Sequence, residues 1–273
     1  MSHRKFWKEE FIDPPEPLAI LPFAKSFTRK SLTRYDNIEV MLDLDRDLVS
    51  KIKKCSAAAR VTTFHFYLSV LQVMLHRFLQ VGDIVIGIVD AGRHNKASVD
   101  TIGFLIDLLP LRFNLADKEM IFAELLKSTR SKAYSAIGHA GIPFDIILQD
   151  VNPPSSSSSP PLFQVVMNYR MGVLGQKTIG DVDLDWSTYE DAKHPFDFIL
   201  TVDENDGEAF LTLSLQQYLF DRAGGDLFLS TYIHLLEVFT EESSLKIQDA
   251  PLFNEHELKT AISLGKGPID KNL

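Results

Sequence analysis

The stretch GRHNKASVDTIGFLIDLLPLRFN, residues 92–114, decides how this chain is read. Gly92 and Arg93 open a loop, and the apolar run from Ile102 to Phe113 predicts a strand. Ile102 to Leu111 should continue the core, with Asp107 as the one polar interruption. GRHNKASVD is no phosphate-binding loop, because it lacks the Gly-Lys-Ser/Thr ending that would set a lysine on phosphates.

Upstream, GDIVIGIVD reads as another mostly apolar strand. Before it, TTFHFYLSVLQVMLHRFLQ predicts a helix capped by Thr62 or Thr63 and apolar over most of its circumference, which belongs in the middle of a domain. Its polar exceptions His65, Ser69, Gln72 and His76 recur at helical spacing and form one stripe, read as a narrow solvated face in preference to the lining of a cavity or channel. NIEVMLDLD alternates as a half-buried strand. Asp45 can then cap a helix running to about Ala59, with Leu48, Ile52 and Cys55 on one side. Residues 1–37, with their prolines and mixed charges, read as an irregular N-terminal arm.

Downstream, a helix is expected near Lys118 to Ile137 and a short one after Pro143. NPPSSSSSPP, residues 152–161, reads as a mobile surface loop that does not pack. The period then becomes two. LFQVVMNYR sets Phe163, Val165, Met167 and Tyr169 against Gln164, Asn168 and Arg170. FDFILTVD sets Phe196, Phe198, Leu200 and Val202 against Asp197, Thr201 and Asp203. EAFLTLSLQQ repeats the pattern, with Thr212, Ser214 and Gln216 on the polar side and ENDG as the hairpin turn before it. Helices from Asp221 to about Thr240 and near Glu255 to Ile262 close the chain. These elements predict an α/β sandwich: a single lobe over residues 38–273 whose mixed sheet is covered by helices on one face. The other face, polar, needs water, a partner or a ligand.

At 273 residues and 45% hydrophobic content, the chain can bury a large core. A net charge of −9, with the positive residues scattered, argues against nucleic acid as a partner. Cys55 is the only cysteine, so no disulfide forms within the chain and a reducing, cytoplasmic setting is expected. No apolar run suggests a membrane span.

These residues carry a resemblance. IGFLIDLLPLR, residues 102–112, resembles the IGxFVNTLPLR motif of the condensation domains of nonribosomal peptide synthetases, and HAGIPFDIIL resembles their HQxxPFE motif. FWKEEF, PLFQVVMNYR and LTLSLQQYLFD follow in that family's order, and Leu108 matches the flavour attached to fungal polyketide synthases. The resemblance implies one lobe similar to chloramphenicol acetyltransferase, the C-terminal of the two that face each other across a substrate tunnel. It also implies a carrier protein as a contact. The family's HHxxxDG motif, whose second histidine is thought to orient or deprotonate the attacking amine, belongs to the other lobe. Here the histidines at 65, 76, 94, 139, 194, 234 and 256 do not complete even the looser HxxxD. The motifs also depart from the family pattern, with Asp107 at the Asn position, Ala140 at the Gln position and Asp145 at the Glu position.

Other chemistries are excluded on spacing. Ser155 to Ser159 have no nucleophile-elbow pattern. His194 and Asp197 should face opposite ways and share no metal, while His139 and Asp145 read as a structural pair. No metal or cofactor is implied.

Three functions fit these facts. The first is a free-standing lobe that binds an apolar polyketide- or terpenoid-like molecule and promotes a pericyclic, Diels–Alder type cyclisation by shape and hydrogen bonding. Its lining would be Gln164, Asn168, Arg170, Thr201 and Gln216, with Asp107 and Trp186 as further candidates and catalytic residues unassigned. The second is the C-terminal lobe of a hybrid synthetase, unable to form amides without its histidine-bearing half. The third is a non-catalytic homodimer joined through the open sheet face.

Overall fold

In a computed structural model, residues 2–93, 96–99, 101–154, 158–172, 177–179, 181–184 and 193–254 are described. The framework is a six-stranded mixed sheet in the order β1-β8-β7-β4-β2-β3, from β1 (Asn37–Asp43), β2 (Asp83–Asp90), β3 (Asp107–Asn114), β4 (Val165–Met171), β7 (Phe198–Asn205) and β8 (Glu208–Gln216). β4 runs parallel to both β2 and β7, and the other pairings are antiparallel. A separate two-stranded ribbon joins β5 (Lys177–Ile179) and β6 (Val182–Leu184). Pro110 sits mid-strand in β3, which its missing N–H permits because β3 is an edge.

One face of the sheet carries α2 (Arg46–Ala58), α3 (Thr63–Leu79), α5 (Phe122–Ile137) and α7 (Arg222–Glu241). The Asp45 carboxylate caps α2 by accepting from the Asp47 and Leu48 N–H groups, as its position in the sequence predicts. Leu200, Val202, Leu211, Leu213 and Leu215, the apolar half of each alternation, are buried. α3 is the centre of the helical layer, in contact with α2, α5 and α7.

The polar stripe on α3 is not a solvated face. Ser69 and Gln72 are fully buried and both donate to Thr129 Oγ1 of α5, each at 2.9 Å. Burial without such a partner would cost each amide or hydroxyl on the order of 1–3 kcal/mol. Thr129 supplies the acceptor from 57 and 60 residues away, so no local pattern announces it.

His65, also buried, ends the same stripe with its Nδ1 accepting from the Thr62 N–H at 3.1 Å, the role a glutamate or glutamine plays in a capping box. Burial, and then the Arg130 charge, lower its pKa to about 4. The unfolded imidazole titrates near 6.5, so the stability from this neutral cap is complete above that pH and is lost as pH falls toward 4. His65→Gln should keep the cap and remove a pH-dependent loss on the order of 2 kcal/mol. Urea midpoints of both proteins at pH 7 and pH 4.5 measure it.

The N-terminal arm differs from the irregular segment expected. His3–Glu10 forms α1, which buries Trp7, and the chain beyond buries Phe11, Leu18 and Leu21. α1 docks on α6 (Phe144–Val151), where Arg4 and Lys8 meet Asp150 and the Trp7 Nε1–H donates to His139 O. An eight-residue helix is marginal alone, and tertiary docking forms it.

The strand expected from Ile102 starts only at Asp107, because its partner β2 ends at Asp90, directly opposite. Ile102 and Phe104 are left exposed, along with half of Ile106. Ser158–Pro161 of the serine-proline tract pack, half-buried, and Pro160 O accepts from Gln164, whereas Ser155–Ser157 lie outside the described residues. So does the helix expected near Glu255.

Candidate functional site

The polar side chains of the sheet are buried rather than open. Thr201, Thr212, Ser214, Gln164 and Gln216 are all less than a tenth exposed. Asn168, Thr201 and Thr212 stand in one cross-strand row over β4, β7 and β8, with Asn168 half-buried at its end. Gln164 is a clasp, its Oε1 accepting from Leu18 N at 2.7 Å while its amide donates to Pro160 O. Arg170 makes a two-pronged contact with Asp203 at 2.6 and 2.7 Å. Asp107 accepts from Gly141 N at 3.2 Å. Trp186 lies outside the described residues. The sheet therefore brings Asn168 and Thr201 together but engages Gln164, Arg170 and Asp107 in holding the fold.

Gln216 belongs to a different place, a cavity of about 370 Å³ at the edge of this face. Two segments that the sequence singled out converge there: Leu108 from IGFLIDLLPLR, and Phe144 and Leu148 from HAGIPFDIIL. Phe196 completes the apolar wall. Strict alternation would put Phe163 and Phe196 under the helices. Instead they stack on each other at 5.5 Å, beside Phe144, with the Phe163 ring against Gly87 of β2. Both residues precede the first residue of their strands, where the two-residue period does not yet hold.

The polar wall comes from the N-terminal arm. Arg29 reaches Asp197 with Nε at 2.9 Å and Nη2 at 2.5 Å, and also donates to Leu18 O. Burial raises the Asp197 pKa, and the Arg29 guanidinium opposes that shift. Lys30 lies 4.9 Å from the centre of the Tyr218 ring, and hydrogen bonding with Lys30 and Ser26 lowers the Tyr218 pKa. Nothing in the sequence pattern linked Arg29 or Lys30 to Gln216, because they are nearly two hundred residues apart.

The histidines of the described core are engaged in structure. His76 Nδ1 bonds Val81 O, and His139 bonds Ser135 O rather than Asp145 while stacking on Phe6 at 3.9 Å. His194 bonds Ser214 Oγ, whereas Asp197 pairs with Arg29, so the two have separate partners as expected. The motif's closing Arg112 binds Asp83 and Glu10 O and anchors α1.

Comparison with known proteins bears on all of this. The condensation-domain family model matches residues 1–260. The chain is 50% identical over 274 aligned residues to the polyketide synthase-nonribosomal peptide synthetase hybrid himA of Aspergillus japonicus, covering 98% of this chain and 7% of that protein. It is 41% identical to the hybrid synthetase psoA of Aspergillus fumigatus, again spanning 7% of the relative. Among solved structures, the condensation domain of the monacolin K polyketide synthase MokA superposes with a TM-score of 0.76 at 24% identity, covering 90% of this chain and 58% of that one. The X-domain from teicoplanin biosynthesis gives 0.82 at 19% identity, covering 92% and 57%. The sandwich, the two converging motifs and a match over nearly the whole length agree, and the chain belongs to the condensation-domain family.

Proposed function

We propose that this lobe is the C-terminal half of a condensation domain of a fungal polyketide–peptide hybrid synthetase. There it helps join a polyketide acyl group to an amine once the histidine-bearing half is present. The observation that carries this reading is a condensation fold in which no HxxxD is completed, on a chain spanning little more than half of the solved domains. The exposed apolar Ile102, Phe104 and Ile106 support it, since such a patch is stabilised by cover. In this reading the lobe contributes shape and docking surface for carrier-bound substrates, and the base comes from the other half.

Cyclisation by the lobe alone has less support, because Gln164 and Arg170, two of the groups it would use, already hold other parts of the chain. One experiment separates the readings. The lobe is mixed with a separately made HHxxxDG lobe from a related synthetase, an acyl thioester on its carrier and an aminoacyl carrier. Amide formed only when both lobes are present supports the proposal. Rings formed from a linear polyene by this lobe alone, with no amide from the pair, would overturn it.

A further inference from the structure

The cavity between α6 and the N-terminal arm is polar at one end and apolar at the other. Arg29 uses Nε and Nη2 on Asp197 and Leu18 O, but Nη1 has no hydrogen-bond partner among the described residues. Gln216, 5% exposed, accepts from Tyr218 N through Oε1, and its Nε2 is likewise without a partner there. Both groups are tied to Asp197, Arg29 through its side chain and Gln216 through its own N–H to Asp197 O at 2.9 Å. They therefore set N–H donors beside the paired Asp197 in the cavity lining, where Tyr35, Ser158 and Ser159 add hydroxyls that can donate as well as accept. Lys30 adds a third donor at the same wall.

Charge agrees with geometry. Asp197 is neutralised by Arg29, which leaves Lys30 as an excess positive charge in the lining of a chain whose net charge is −9. The opposite wall, Leu108, Phe144, Leu148 and Phe196, offers no polar side chain to a ligand. A volume of about 370 Å³ lies within the usual range for small-molecule sites.

We infer that this cavity binds an amphipathic carboxylate, an acid of medium chain length whose head group meets Arg29, Gln216 and Lys30 and whose tail lies along Phe144, Leu148 and Phe196. An oxyanion that accepts from the Gln216 amide and from the guanidinium gains charge-assisted hydrogen bonds inside a cavity with apolar walls. An alcohol of the same length fills the apolar half and leaves the donors poorly served. An alkylammonium meets the excess positive charge.

The test is calorimetric titration of the purified chain with decanoate, decanol and decyltrimethylammonium, all below their micelle concentrations. Decanoate should bind at one site at least about tenfold more tightly than decanol, the size expected of charge-assisted hydrogen bonds. The ammonium should show no saturable binding. Lys30→Glu, at the rim, should weaken decanoate about fivefold or more and leave decanol unchanged. Leu148→Trp should fill the tail end and abolish binding of both. Circular dichroism and a thermal melt confirm that each variant folds. If Leu148→Trp does not, the Lys30→Glu result and the alcohol comparison decide alone. Equal affinities for decanoate and decanol, or decanoate binding untouched by Lys30→Glu, would overturn the inference. Amide formation by the two-lobe mixture is a separate readout, so either idea can fail while the other stands.

Discussion

Gly87→Val should yield protein that is mostly insoluble or destabilised by about 3 kcal/mol or more, the upper range for overpacking a core. A Cβ built at Gly87 falls 2.4 Å from the Phe163 ring, far inside contact distance. The ring is hemmed in, with Phe144 at 5.2 Å and Phe196 at 5.5 Å between ring centres, and Phe163 is fully buried. Gly87 is also paired on both sides, to Pro110 of β3 and Val166 of β4, so the strand cannot shift outward. The smaller step Gly87→Ala should still be costly, and Phe163→Leu should recover part of that cost in the double variant, because the two side chains compete for one space. Denaturant midpoints for the four proteins of that cycle measure the coupling. Additive losses would mean that the ring was not the obstacle.

Asp197→Leu is the second large effect, expected to cost about 3–5 kcal/mol by leaving the Arg29 guanidinium uncompensated at 14% exposure. The pair joins positions 168 residues apart and fastens the arm to the start of β7. Replacing both partners, Arg29→Met with Asp197→Leu, should restore much of the stability, because no buried charge is then left alone. The double variant should nevertheless lose decanoate binding, since Arg29 Nη1 is gone. A double variant as unstable as Asp197→Leu would show that the cost came from lost packing instead.

These two sites also show what the sequence could disclose. Within β4, β7 and β8, though not at Phe163 and Phe196 ahead of them, alternation places the apolar halves correctly, and the Asp45 cap is legible, because both signals are written within a few neighbouring residues. Gln164 and Arg170 fell on the polar side as read, but their role depended on Leu18, Pro160 and Asp203, which periodicity does not name. The α3 stripe looked solvated for the same reason, since Thr129 is one residue in an otherwise ordinary helix. Residues 102–106 looked like strand because composition reports apolar character, whereas a strand also needs a neighbour, and β2 had already ended. The cavity was the least legible part. Alternation assigns Gln216 to the sheet face, and the arm that supplies Arg29 and Lys30 has no sustained period to mark it as a wall.

The sheet order has a consequence for synthesis. Among the described residues β1 has β8 as its only neighbour in the sheet, and the paired positions are 167 to 179 residues apart. Chain growth of 5–20 residues per second leaves β1 without its partner for roughly ten to thirty seconds, and closing so long a loop is slow even afterwards. During that interval a seven-residue strand with Ile38, Val40, Met41 and Leu42 presents unpaired backbone to solvent or to another nascent chain. Glu39 and Asp43 are the charges on that strand, and they act as its gatekeepers against aggregation while the rest of the chain is still being made.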